Sequence, residues 1–303
     1  MEWWQAVILG LVEGITEYLP VSSTGHLIIA SALLGLDHPS VKAHVDAFNI
    51  VIQGGAILAV LGLYRDRVAQ MIRGLFGKDP AGLSLLIKLF VAFLPAAVLG
   101  VLFNDVIEAR LFSPGPVIAA LALGGVWMIV LGRGHRRKEG LAHDDPDELA
   151  NLPLRTAFFI GCFQVVAMWP GTSRSMMTIA GGTLLGLSPK RAAEFSFLLG
   201  LPTLGGACVY KLAQNLLEAR ANQARLAAGE TLPEGAVTEN LFQALGLAPV
   251  LLGMAVATIS AALAVKWLVG FLTRHGLGAF GWYRLVLAGG LTLLVMLEIV
   301  RFG

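Results

Sequence analysis

The apolar positions of this chain fall in long, nearly uncharged runs rather than in one-faced stripes. Residues 50–63, 89–102, 114–132, 241–265 and 285–297 contain no Asp, Glu, Lys or Arg. With their flanks they approach the ~20 residues that cross a ~30 Å hydrocarbon layer. The pattern predicts six spans, over residues 43–63, 85–103, 114–131, 192–212, 243–268 and 283–300. Each must be helical, because backbone groups find no water partner inside a bilayer.

Two further apolar regions are interrupted. Residues 7–36 break at Pro20-Val-Ser-Ser-Thr-Gly25, and residues 154–187 break at Pro170-Gly-Thr-Ser-Arg-Ser175. The pieces on either side are too short to cross comfortably. Non-helical backbone at membrane depth is tolerated inside protein or beside a cavity. Both regions are therefore expected to be re-entrant helix–loop–helix hairpins.

The two broken regions resemble each other. Gly10-Leu-Val-Glu13 answers Gly161-Cys-Phe-Gln164, and Leu33-Leu-Gly-Leu36 answers Leu184-Leu-Gly-Leu187. Pro20-Val-Ser-Ser-Thr answers Pro170-Gly-Thr-Ser-Arg, allowing single-residue gaps, and Asp46-Ala-Phe48 answers Ala193-Glu-Phe195. The chain reads as one membrane domain, residues 1–303, built from repeats over approximately 1–132 and 154–303. Paired interrupted segments in matching positions point to a binding site at the midplane.

Loop charges set an expected orientation. Arg65, Arg67, Arg73 and Lys78 lie in one loop, Arg133, Arg136, Arg137 and Lys138 in another, and Lys266, Arg274 and Arg284 flank a third. These should be cytoplasmic. The short loop 104–112, with Arg110, and the stretch 213–240, with Arg220 and Arg225, should be external. The latter reads as an amphipathic, partly disordered excursion. Counting spans, the first hairpin enters from outside and the second from the cytoplasm. The repeats are then inverted, so that their tips can meet.

Composition agrees with the pattern. Of 303 residues, 56% are hydrophobic and 14% charged, with a mean hydropathy of +0.74, where a soluble domain carries about 25% charged residues. A net charge of +2 gives no reason to expect a nucleic-acid partner. Cys162 and Cys208 fit no metal-ligand spacing and read as packing residues. The opening segment has acids and no basic region, so it does not read as a cleavable signal. Trp3 and Trp4 read as interfacial anchors.

The chemistry gathers at the two breaks. Glu13 and Glu17 are four apart and share one helix face. Ionisable groups at membrane depth are functional candidates, although a helix end at the interface would also solvate both. Two such carboxylates suit a divalent cation, Mg²⁺ or Ca²⁺, or a general base. Ser22, Ser23, Thr24, Gly25 and His26 follow Pro20. An ordinary N-cap explains Ser22. It does not explain three hydroxyls, a glycine and a histidine together at a helix N-terminus that suits phosphate. His26 is a candidate acid, base or nucleophile, against a satisfied core histidine.

At the second break Arg174 opens a helix far from other charges, and its donor fork matches phosphate oxygens. The alternative is an ion pair with Glu13 or Glu17 that serves stability alone. Gly171, Ser173, Ser175 and Thr178 complete a candidate phosphate-binding set with Ser22, Thr24 and Arg174. Gln164 stands where the first repeat has Glu13, so the first repeat reads as the chemical half and its counterpart as a clamp. Gln53 and Gln164 are candidate lining residues, with helix packing equally open for the Gln53-Gly-Gly55 stretch. Glu194 reads as a partner of Lys190 and Arg191, and His44 and Asp46 as interfacial. Asp144, Asp145, Asp147 and Glu148 read as a solvated loop.

Glu13-Gly-Ile-Thr-Glu17-Tyr-Leu-Pro-Val-Ser-Ser-Thr-Gly-His26 and Pro170-Gly-Thr-Ser-Arg-Ser175 with Thr178 closely resemble the two signature motifs of the undecaprenyl-pyrophosphate phosphatase family, also called the bacitracin-resistance family. The resemblance extends to Val51-Ile-Gln-Gly and Glu194-Phe-Ser-Phe-Leu-Leu, and the stretch 213–240 departs from it. It implies a multi-pass enzyme of the bacterial inner membrane that hydrolyses a polyprenyl pyrophosphate lipid to the monophosphate. That reaction recycles the carrier for peptidoglycan and confers bacitracin resistance. It also implies a divalent cation, a site open to the periplasm, and catalytic residues at Glu13, Glu17, Ser23, His26 and Arg174. Ser23, His26 or a water activated by Glu17 can be the nucleophile. Inverted repeats are also transporter architecture, so a lipid flippase is the main rival and a non-catalytic scaffold the next. The oligomeric state is open, a homodimer included.

Overall fold

The computed structural model describes residues 1–135, 148–233 and 236–300. Every regular element among them is an α-helix. The order is α1 (Trp3–Thr16), α2 (Ser23–Leu33), α3 (Pro39–Leu63), α4 (Arg65–Leu75), α5 (Pro80–Leu111), α6 (Pro114–His135), α7 (Leu154–Val166), α8 (Arg174–Leu184), α9 (Pro189–Ala227), α10 (Leu241–Leu245), α11 (Leu247–His275) and α12 (Gly278–Met296).

Six of these contain stretches long and apolar enough to cross a membrane, at Ala43–Leu63, Pro80–Phe103, Pro114–Arg133, Pro189–Ala227, Leu247–His275 and Gly278–Met296. Only 28% of the Pro80–Phe103 window is buried in the protein. Its outward side is apolar, with Val98, Val101 and Leu102 exposed. A surface of that kind needs lipid against it. Trp3 and Trp4 are likewise exposed at the start of α1.

Local sequence sets the helix starts. Asp79 accepts from the Gly82 amide ahead of Pro80, and Ser188 accepts from the Arg191 amide ahead of Pro189. Proline suits the first helical turn, where its missing N–H would have no partner. The two broken regions form matching helix pairs, α1 with α2 and α7 with α8, in one common register. Ser22 caps α2 with φ 74° and ψ 101°, and Ser173 caps α8 with φ 75° and ψ 115°. A left-handed serine is uncommon. Its recurrence gives the two caps the same backbone, in a register that needs no single-residue gaps.

Packing follows the same exchange. Helix α1 of the first half packs on α11 of the second, while α7 packs on α5, and α6 packs on α12. Small residues make these contacts, as expected where lipid removes the hydrophobic drive between helices. A side chain at Gly10 would meet the Gly253 carbonyl, and one at Gly14 would meet Ser260 and Ala257. Gly125 faces Gly281 and Gly132 faces Gly278. Those two pairs show that α6 and α12 run antiparallel.

Several boundaries differ from the sequence reading. The loop expected at 104–112 is the end of α5, which runs to Leu111. Part of the loop over 64–83 forms the short amphipathic helix α4. The stretch 213–240 is helical as far as Ala227, because it is rich in helix formers and meets no breaker before Gly229. Asn215 accepts from the Leu241 amide at 2.8 Å and Asn222 donates to the Val237 carbonyl at 3.0 Å, which ties the returning chain to α9. The span expected from 243 instead begins at Leu247, since Gly246 at φ 83° ends α10. Glu148 is not simply solvated. It accepts from the amide and the hydroxyl of Ser188, both at 2.9 Å. Arg136, Arg137, Lys138, Asp144, Asp145 and Asp147 lie outside the described residues.

Candidate active site

The two breaks come together. The Ser175 hydroxyl, in the first turn of α8, donates to the Leu19 carbonyl in the first tip at 2.9 Å. That leaves Ser173 to donate to Ser175 across 3.0 Å. Tyr18 packs edge-on against Phe197 of α9 at 5.3 Å, and the Arg174 guanidinium sits 5.5 Å over the Tyr18 ring. Trp169 secures the second tip by donating to the Pro116 carbonyl of α6 at 3.0 Å.

At this junction Glu17 bridges the halves. Its Oε2 accepts from the Ser23 hydroxyl at 2.8 Å, and its Oε1 accepts from Arg174 Nη2 at 3.1 Å. Arg174 Nη1 donates to the Ser196 carbonyl at 2.9 Å. The ion pair is mostly buried, with side-chain exposures of 10% for Arg174 and 6% for Glu17. Glu13 lies one helical turn before Glu17, fully buried, and neither of its carboxylate oxygens has a hydrogen-bond partner. Arg174 Nε and Gln164 Nε2 are also buried without partners. Buried polar atoms left unpaired cost about 1–3 kcal/mol each. An unfilled acceptor pair and an unfilled guanidinium edge, on either side of a carboxylate-bound serine, suit a phosphate ligand with its counter-cation.

The other sequence candidates divide. Ser22 is buried, and its hydroxyl accepts from the Gly25 amide at 3.5 Å, so it caps α2. Thr24 is half-buried in the first turn. Thr178 sits behind Arg174, joined to the Ser196 hydroxyl at 2.6 Å and the Arg174 carbonyl at 2.9 Å. These bonds brace the first turn of α8. Gly171 has φ 93°, and a side chain there would come within 2.6 Å of the Val117 carbonyl. Gln164 accepts from Thr203 at 3.3 Å. Gln53 is half-buried on α3, where neighbouring Gly55 packs against α11.

His26 turns away from the carboxylates. Its Nδ1 donates to the Ser22 carbonyl at 2.7 Å. In the neutral ring Nε2 then accepts from the Tyr283 hydroxyl, also at 2.7 Å. Of the expected partners of Glu194, Arg191 is one, and Arg67 joins it unforeseen. Glu194 is buried between Arg191 at 2.6 Å and Arg67 at 2.8 Å, His44 reaches the Glu239 carbonyl, and the Cys208 thiol donates to the Ile50 carbonyl.

Sequence reasoning missed Tyr283, Arg284 and Ser196. Arg284 was expected at a cytoplasmic loop, yet it is 0% exposed. It donates to the Gly171 carbonyl at 2.8 Å and the Ala120 carbonyl at 3.0 Å. The signal was present, since Arg284 is a lone cation inside the apolar α12. Assigning it to the preceding loop concealed it. An open cleft lined by Ile129, Arg133, His275 and Trp282 touches none of the residues at the two tips.

A cation fits the donor set. The groups are oxygens, which a hard divalent ion prefers, and Glu13 is unfilled. Among the described residues no three His, Cys, Asp or Glu side chains gather. Two carboxylates completed by phosphate and water is the common Mg²⁺ arrangement.

Residues 6–290 match the family described as bacitracin resistance protein BacA. A Sorangium cellulosum protein named undecaprenyl-diphosphatase is 43% identical over 291 residues, covering 95% of this chain and 84% of its own length. Proteins of the same name from Pseudomonas aeruginosa and Azotobacter vinelandii are 42% and 43% identical. They cover 94% and 98% of this chain and 92% and 95% of their own lengths.

Proposed function

This chain belongs to the bacitracin resistance protein BacA family, and from that premise we propose that it hydrolyses undecaprenyl pyrophosphate to undecaprenyl phosphate and inorganic phosphate. The relatives' name states the same activity for them. The observation that carries the reading is the Ser23–Glu17–Arg174 chain of bonds, with the unfilled oxygens of Glu13 beside it. The reaction recycles the lipid carrier for peptidoglycan and, through it, confers resistance to bacitracin.

The prenyl chain lies in lipid and the pyrophosphate enters between the tips. Its oxygens compete with Glu17 for the Arg174 fork, which suits phosphate in two-point contact. Released from Arg174, Glu17 takes the proton of Ser23. The Ser23 oxygen attacks the terminal phosphorus, and the bond to the bridging oxygen breaks, so that undecaprenyl phosphate leaves. Water then hydrolyses the serine phosphate, freeing inorganic phosphate and returning the proton to Ser23. Phosphoryl transfer depends mainly on such positioning and charge stabilisation. Glu13 and Glu17 would hold a divalent cation, Mg²⁺ or Ca²⁺, which supplies neutralisation of pyrophosphate charge when bound. His26 is the weaker nucleophile candidate, because Tyr283 occupies its Nε2.

The paired tips are re-entrant hairpins of an inverted repeat. Equivalent helices α6 and α12 run antiparallel, which supports that reading. The loop charges support an opening on the periplasmic side of the inner membrane. The same architecture serves transporters, and the test separates the two. Purified protein in detergent, with no second compartment, releases phosphate if it is a phosphatase and binds without turnover if it only carries lipid. Acid-quenched enzyme should carry phosphate on Ser23. Phosphate on His26, or none under a quench that preserves both linkages, removes the serine route.

A further inference from the structure

Helix α12 reaches both tips with two consecutive side chains. Tyr283 donates to His26 Nε2 at 2.7 Å, the two rings lying nearly parallel with centroids 5.7 Å apart. Arg284 donates to the Gly171 carbonyl of the second tip at 2.8 Å. It also holds the Ala120 and Leu121 carbonyls of α6 at 3.0 and 3.3 Å. All three acceptors are neutral. Among the described residues no carboxylate pairs with Arg284, and its buried Nη1 has no partner. A buried cation without a counter-charge is costly in a low-dielectric interior, and an apolar side chain would pack the position more cheaply. Gly124 leaves the space for it, since a side chain there would come within 2.5 Å of Arg284 Nη2.

We propose that Tyr283 and Arg284 are the positioning pair of the site, α12 holding the first tip through His26 and the second through the Gly171 carbonyl. Arg284 adds a buried positive charge to that of Arg174, balanced when pyrophosphate is bound. The proposal rests on the phosphatase reading. Ser23 lies three residues before His26 in the same helix, so fixing His26 fixes the first turn of α2. Gly171 lies three residues before Arg174, so holding its carbonyl aims the phosphate clamp.

The test measures kcat, KM and thermal midpoint for phosphate release by wild type, Tyr283→Phe and Arg284→Lys. Tyr283→Phe should lower kcat about tenfold with KM within about twofold, the effect expected of one lost hydrogen bond. Arg284→Lys keeps the charge but loses the three-way fork, and should raise KM about tenfold. If Arg284→Lys does not accumulate folded, Gly124→Ala takes its place, crowding the same guanidinium, with the same rise in KM. A wild type that releases no phosphate overturns the phosphatase reading and this proposal with it. An active wild type with wild-type kcat in Tyr283→Phe, or wild-type KM in the Arg284 or Gly124 variant, overturns this proposal alone.

Discussion

The Ser23 hydroxyl donates to Oε2 of Glu17 at 2.8 Å, joining the first residue of α2 to the end of α1 across the tip. The geometry is that of a base beside the proton it removes. Ser23→Ala and Glu17→Gln should each lower phosphate release by about 10²- to 10⁴-fold. Ser23→Ala should leave the thermal midpoint in detergent near wild type, whereas Glu17→Gln should lower it, because Arg174 then stays buried without its counter-charge. Ser23→Ala with near-wild-type turnover would transfer the nucleophile to water.

Arg174 holds Glu17 with one nitrogen and the Ser196 carbonyl with another. Lysine offers a single point charge in place of that fork. Arg174→Lys should lower kcat/KM by about 10- to 100-fold, the loss expected for charge-assisted hydrogen bonds. Steady-state kinetics on a prenyl pyrophosphate checks it.

The broken helices were legible because proline, glycine and hydroxyl clusters interrupt otherwise apolar runs. The six spans were legible because lipid demands uninterrupted hydrophobicity. The ends of α5 and α9 were not, because charged residues such as Arg110 and Glu218 read as loop while their helix propensity carries the backbone on. The pairing of Glu17 with Arg174 was anticipated as an ion-pair alternative. The turn of His26 towards Tyr283 was not, since it depends on how α12 is rotated against α2. No local pattern encodes that rotation.

Backbone conformation gives a separate check on the repeat. Ser22 and Ser173 share a left-handed backbone that costs a non-glycine residue about 1–3 kcal/mol. Ser22→Gly and Ser173→Gly should leave stability within about 1 kcal/mol of wild type, strain relief offsetting the lost cap. Ser22→Val and Ser173→Val should destabilise by about 2 kcal/mol or more. Equilibrium unfolding in detergent would show it, and opposite responses at the two serines would break the equivalence.

Helix α1 lies backbone-close on α11 at Gly14, one residue after Glu13. Gly14→Ala should push the helices apart, at an overpacking cost of about 1–3 kcal/mol. Activity should fall with it, because Glu13 and Glu17 ride on the displaced element. Stability and turnover measured together would show whether the two losses track.

Glu13 offers two buried oxygens without partners. Chelation should abolish phosphate release, and adding back Mg²⁺ or Ca²⁺ singly should restore it. Glu13→Gln should need a higher cation concentration for half-maximal rate. An activity indifferent to thorough chelation would leave Glu13 to a proton instead.

The most direct measurement is inorganic phosphate released from undecaprenyl pyrophosphate by purified wild-type and Glu17→Gln proteins in detergent, with the lipid product identified. The account predicts one phosphate per undecaprenyl phosphate from the wild type, and at least about a hundredfold less from folded Glu17→Gln. Intact lipid after incubation with wild type, or equal release by the two proteins, would contradict it.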